Sequence, residues 1–128
     1  MCFCRVSEYQ VDNNSPKVVY KAMRLLATDK VMPLHYYTNK YYSIGSVIRA
    51  SKDVSISHMD RLHVFEGEAV HAYTDRYKAI AVTICAQDLV KHPLVVVECK
   101  IPLGSPYWVD ELNKEIAAKE MIITNINI

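Results

Sequence analysis

The sequence predicts an α+β fold: a mainly antiparallel β-sheet with one main α-helix over about residues 75–86, in a single domain spanning 1–128. Three observations predict it. The run Leu94-Val95-Val96-Val97-Glu98-Cys99-Lys100-Ile101 is short, β-branched and closed by Pro102-Leu103-Gly104-Ser105-Pro106, the pattern of a well-bounded strand. Lys17 to Ala27 alternates, with Val19, Met23 and Leu25 on one face around Lys21, and Tyr20, Ala22 and Arg24 on the other. After Thr74 the period changes: Tyr77, Ile80, Ala81, Ile84 and Cys85 fall at helical spacing.

Taken in order, residues 1–11 alternate loosely and reach a cluster of turn formers, Asp12-Asn13-Asn14-Ser15-Pro16. Residues 1–16 are therefore expected as a peripheral strand or arm. Thr28-Asp29-Lys30 should turn the chain out of the Lys17–Ala27 strand. Val31-Met32-Pro33-Leu34 then reads as an edge strand or loop, because proline has no amide to give a central ladder. Gly45 interrupts the next segment, and a strand is expected at Ile44–Ala50. Thr74 is the expected helix N-cap, with Asp75 in the first turn. From Glu115 onward helix formers give way to Met121-Ile122-Ile123-Thr124, which argues for a last strand.

At 128 residues, 51% hydrophobic and 23% charged, the chain has the composition of a globular domain that holds a core without metals or disulfides. A net charge of +1 argues against a broad nucleic-acid-binding surface. No apolar run approaches the roughly 18 residues of a membrane span. Cys2, Cys4, Cys85 and Cys99 follow no secretory signal, so free thiols in a reducing, cytoplasmic setting are expected.

The most distinctive local feature is an echo. His35-Tyr36-Tyr37-Thr38-Asn39-Lys40-Tyr41-Tyr42 and His71-Ala72-Tyr73-Thr74-Asp75-Arg76-Tyr77 share His-x-Tyr-Thr, an amide or acid, a base and a tyrosine. Nine tyrosines against two phenylalanines carry the same bias. A tyrosine has a flat apolar body and a polar tip, which suits either a ligand grip or sheet packing with hydroxyls at the surface. If a ligand is gripped, the candidate residues are Tyr42 and Tyr73 for stacking, Arg24 and Arg76 for negative charge, and His71 as a hydrogen-bond partner. Clustered tyrosines at 36, 37, 41 and 42 also suggest a homo-oligomer, a dimer or higher.

Other chemistries fit less well. Phosphoesterases with paired histidine motifs place His and Ser/Thr two residues apart on one strand face. Here the threonine follows by three and falls on the opposite face. Cys2, Cys4, His58 and His63 match no standard zinc spacing, and no metal or other cofactor is expected. With glycine only at 45, 67 and 104, there is no phosphate-cradling loop. No catalytic residues are assigned.

The ordered pieces Val19-Tyr20-Lys21-Ala22, Tyr42-Ser43-Ile44-Gly45, Gly67 to Thr74, Val95 to Gly104 with Tyr107-Trp108, Glu115-Ile116-Ala117 and Met121-Ile122-Ile123 cover most of residues 18–124. Their order resembles a family of small proteins from tailed phages and gut bacteria. The resemblance implies a phage or prophage origin. By analogy with small host-directed phage proteins, the expected function is a non-enzymatic binding protein that sequesters a nucleotide-like small molecule or inhibits a host defence protein. A weaker analogy, to ADP-ribosyltransferase-like folds, rests on Arg24, His71 to Thr74, and Glu115 or Glu120. It implies a small enzyme acting on a nucleotide or ADP-ribose group. A structural or interaction protein without a ligand is the remaining alternative.

Overall fold

The computed structural model describes residues 10–11, 16–34, 41–49 and 70–126. Among the described residues, nine strands form one sheet: β1 (Gln10–Val11), β2 (Lys17–Ala27), β3 (Lys30–Pro33), β4 (Val47–Arg49), β5 (Val70–Tyr73), β6 (Leu94–Ile101), β7 (Pro106–Asp110), β8 (Glu115–Ala118) and β9 (Glu120–Ile126). The helix α1 (Arg76–Ala86) runs on into a 3-10 turn, Gln87–Leu89. The sheet order is β1-β7-β8-β5-β2-β6-β9-β4, with β3 paired off this path to β2 and bridged on its other side, at Val31, to Tyr42, and every registered pair is antiparallel. This is the expected mainly antiparallel α+β fold.

The connection between β8 and β9 dictates the sheet's shape. Only Lys119 separates them, so Ala118 and Glu120 can lie at most about 7 Å apart. In the sheet, however, β8 and β9 are separated by β5, β2 and β6, which in a flat sheet would hold them about 19 Å apart. The two facts are compatible only if the sheet curls strongly, so that β8 and β9 form one bent strand serving both halves. One face thereby becomes an interior. Val19 and Met23 of β2, Val97, Cys99 and Ile101 of β6, Ile116 and Ala118 of β8, and Met121 and Ile123 of β9 are all buried in one cluster there.

The central pairing is β2 with β6, in register from Lys17–Ile101 to Arg24–Leu94. Both strands are the ones the sequence marks most clearly, and β2 has the expected bounds. The turn at Thr28–Asp29 and the Pro33-containing edge strand also form as expected. The strand expected at Ile44–Ala50 begins only at Val47. Before it, Ser43–Ser46 form a turn in which Gly45 has a φ of 91°, a backbone conformation open to glycine at no steric cost. The amide of Gly45 donates to Ile123 O at 2.8 Å and Ile123 N donates to Ser46 O at 3.0 Å, which docks this turn on β9.

Two details of α1 differ from the sequence reading. Its N-cap is Asp75, not Thr74: the Asp75 carboxylate accepts from Tyr77 N at 3.0 Å. Thr74 is instead held to the β7–β8 turn, its amide donating to Lys114 O at 2.9 Å. The buried face also differs. Ala79 is the fully buried helix residue, with Ile80 and Val82 packed beside it against Tyr20, Tyr73 and Val96. The expected stripe of Tyr77, Ala81, Ile84 and Cys85 faces solvent, Tyr77 at 79% and Ile84 at 71% exposure. The cause is compositional. Apolar side chains surround α1 on nearly all sides, so periodicity selects no single face and the sheet decides.

Candidate functional site

Alternation on each strand sends a second set of side chains to the outer face of the sheet, where α1 lies across β2, β5 and β6. On that face the register aligns a polar row. Tyr20 of β2 pairs with Tyr73 of β5, Tyr73 with Glu115 of β8, and Glu115 with Asp110 of β7. One pleat along, His71 of β5 pairs with Ala117, and Ala117 with Trp108. Titratable and aromatic groups thus sit side by side in a row that starts at the strands beneath the helix and runs outward to β8 and β7.

Most of this row is closed to solvent. Asp110 is 1% exposed, Glu115 6% and Tyr73 5%, and Trp108 is fully buried. Burial raises the Glu115 carboxyl above its ordinary value, and the Asp110 charge opposite adds to the shift against a smaller opposing influence of Lys78. Burial also raises the Tyr73 phenol, again with the Glu115 charge adding to it. Asp110 has a structural duty, accepting from Asn113 N at 3.3 Å and from Asn113 Nδ2 at 2.9 Å to shape the hairpin turn. That turn ends at Lys114, whose φ is 54°, and Lys114 Nζ meets Asp75 Oδ2 at 3.4 Å. The β7–β8 hairpin is therefore fastened to the start of α1.

Of the five residues expected to grip a ligand, the fold brings together His71 and Tyr73, two residues apart on the outer face of β5. Arg24 shares that face of the sheet but lies four residues along β2 from Tyr20, and its Nε donates to Pro33 O at 2.8 Å, bracing the β2–β3 hairpin. Tyr42 packs against the interior cluster on the other side of the sheet, where burial raises its phenol. Arg76 is exposed at the start of α1. Tyr73 packs with Ala79 and Val96 as a core residue.

Sequence reasoning passed over Asp110. The signal was present: the apolar run Tyr107-Trp108-Val109 ends in Asp110, and the four residues to Glu115 are a hairpin loop that sets the two acids opposite each other. It also passed over Lys21 as more than a face marker. Lys21 lies between Val19 and Met23, on the strand face that packs into the interior, and its Nζ donates to the His71 carbonyl at 2.7 Å. The β2–β5 ladder registers at the single pair Tyr20–Tyr73, and beyond it this ammonium joins the two strands. Burial pushes the Cys99 thiol up to about 12, against the opposing charge of Lys21.

His35, Tyr36, Tyr37, Cys2, Cys4, His58 and His63 lie outside the described residues, so the first copy of the echo is seen only at Tyr41 and Tyr42. The described residues contain no group of three or more His, Cys, Asp or Glu placed to hold a metal ion. They contain no helix long and apolar enough to cross a membrane. Fold and outer face together define a small, mainly antiparallel α+β domain with a buried polar row. The chain matches no family model, no curated protein and no solved structure.

Proposed function

We propose that this chain is a non-enzymatic, phage- or prophage-encoded binding protein that acts on a host protein by contact. One observation carries the choice of protein over small molecule. Of the residues suited to gripping a nucleotide, Tyr73 is buried in the core, Tyr42 packs on the interior cluster and Arg24 braces the β2–β3 hairpin, while large apolar side chains stand in solvent. Leu112 at 79% exposure, Leu103 and Ile44 occupy three separate turns, positions that suit recognition of another protein better than they suit folding. The phage origin rests on the resemblance of the ordered motifs.

Native mass spectrometry of the full chain purified from an infected, defence-active host tests this reading. A complex with a host polypeptide, lost on Leu112→Asp, is the expected result. A stoichiometric small molecule released on denaturation would overturn it in favour of nucleotide sequestration, and a chemically altered one in favour of an enzyme.

A further inference from the structure

The outward face of α1 is an apolar seam. Tyr77, Ala81, Ile84 and Asp88 follow one another at spacings of four, three and four, the rhythm of a helix face that packs on another helix. All four are exposed. The opposite side of the helix, centred on Ala79, is the side that meets the sheet, so nothing in the sheet layer uses this seam. Tyr77, Ala81 and Ile84 thus form an exposed apolar stripe, ended by Asp88, on a helix already anchored by its other face, which leaves the stripe available to a second occupant.

The sequence of the seam specifies that occupant. We propose that the outer face of α1 pairs with α1 of a second copy of this chain, antiparallel, about a two-fold axis between residues 82 and 83. In that register Ile84 of one copy lies on Ala81 of the other, a large side chain over a small one. Tyr77, with Arg76 beside it, meets Asp88 of the other copy. Each contact occurs twice, as an isologous interface requires. The phenol of Tyr77 donates to the Asp88 carboxylate, and the Arg76 guanidinium sets an opposite charge beside the same carboxylate. The charges along the element, Asp75 and Asp88 against Arg76 and Lys78, sum to zero, so two copies approach without net repulsion.

The size of the contact sets its strength. Eleven helical residues extend about 16 Å, and two such helices bury on the order of 700 Å² in total, below the roughly 1,200 Å² of a stable interface. The dimer is therefore weak and concentration-dependent, with a dissociation constant on the order of 10–100 µM. This proposal is independent of the host-protein reading, which concerns Leu112, Leu103 and Ile44.

Sedimentation equilibrium of the full chain from about 5 to 500 µM reads the association directly. A reversible monomer–dimer equilibrium is expected. Ile84→Glu and Asp88→Arg should each weaken it at least tenfold, with unchanged melting temperature because both positions are exposed. The decisive variant is the double charge exchange Arg76→Asp with Asp88→Arg, which re-creates the pair across the two-fold axis and should restore dimerisation toward wild type. A monomer at 500 µM would overturn the proposal. So would a dimer indifferent to Ile84→Glu, which would place the interface elsewhere, or a double variant no better than Asp88→Arg alone.

Discussion

Tyr73, Glu115 and Cys99 owe their chemistry to being closed over. Tyr73→Ala deletes a ring packed on Ala79 and Val96 and should cost about 3 kcal/mol, read as a fall of roughly 10 °C or more in melting temperature. An unchanged melting temperature would return Tyr73 to the surface and to ligand stacking. Glu115 predicts a pH dependence. Its carboxyl is raised in the folded protein, so the folded state holds the proton more tightly than the unfolded chain does. Stability from this group is therefore greatest at acid pH and falls as pH rises from the ordinary glutamate value of 4.5 through the raised one. Glu115→Gln should flatten that part of the profile in urea titrations between about pH 4 and 7 and be the more stable form at the upper end. The thiols divide by burial. Cys99, fully buried and with its thiol pushed up to about 12, should resist alkylation until unfolding, whereas exposed Cys85 should react at once in peptide-mapped labelling.

At the scale of the element, α1 is held by its cap and by its buried face. Asp75→Ala removes both the carboxylate that accepts from Tyr77 N and the partner of Lys114, and should cost about 1 kcal/mol in denaturant unfolding. Ala79→Leu should cost about 1–3 kcal/mol, because a fully buried alanine against Tyr73 and Val96 leaves no room for a longer side chain. Ile84→Ala should change the stability of the monomer by less than about 0.5 kcal/mol. Reversal of that order would show that α1 is rotated about its axis. Gln87 completes the element: its amide oxygen accepts from Leu94 N at 2.9 Å and its Nε2 donates to His92 O at 3.0 Å, tying the 3-10 turn to β6.

Across the whole molecule, the shared strand β8–β9 makes both halves of the sheet parts of one interior, and neither half can lose its packing alone. Unfolding followed by far-UV circular dichroism and by fluorescence of Trp108, the single tryptophan, should give coincident transitions. Separated midpoints would mean that the halves around β7 and around β9 are independent. Folding should be slow for the chain's size, in milliseconds to seconds, because the central pairing joins residues as distant as Lys17 and Ile101.

The sequence by itself determined the elements that local physics dictates. The alternation of β2, the β-branched run of β6, the proline of β3 and the change of period at Thr74 each carry their conformation in a few adjacent residues. The bias toward tyrosine was equally legible, yet its use was not: Tyr73 became core and Tyr42 packed on the opposite face. Only tertiary structure decided those assignments, because they depend on strand order, and strand order joins residues far apart in the chain. The same holds for the opposed Asp110 and Glu115, for Lys21 reaching His71 across a thinning ladder, and for the face of α1 that is buried. A helix apolar on nearly every side carries no instruction about which side to bury. Its contact with the outer face of β2, β5 and β6 supplies it.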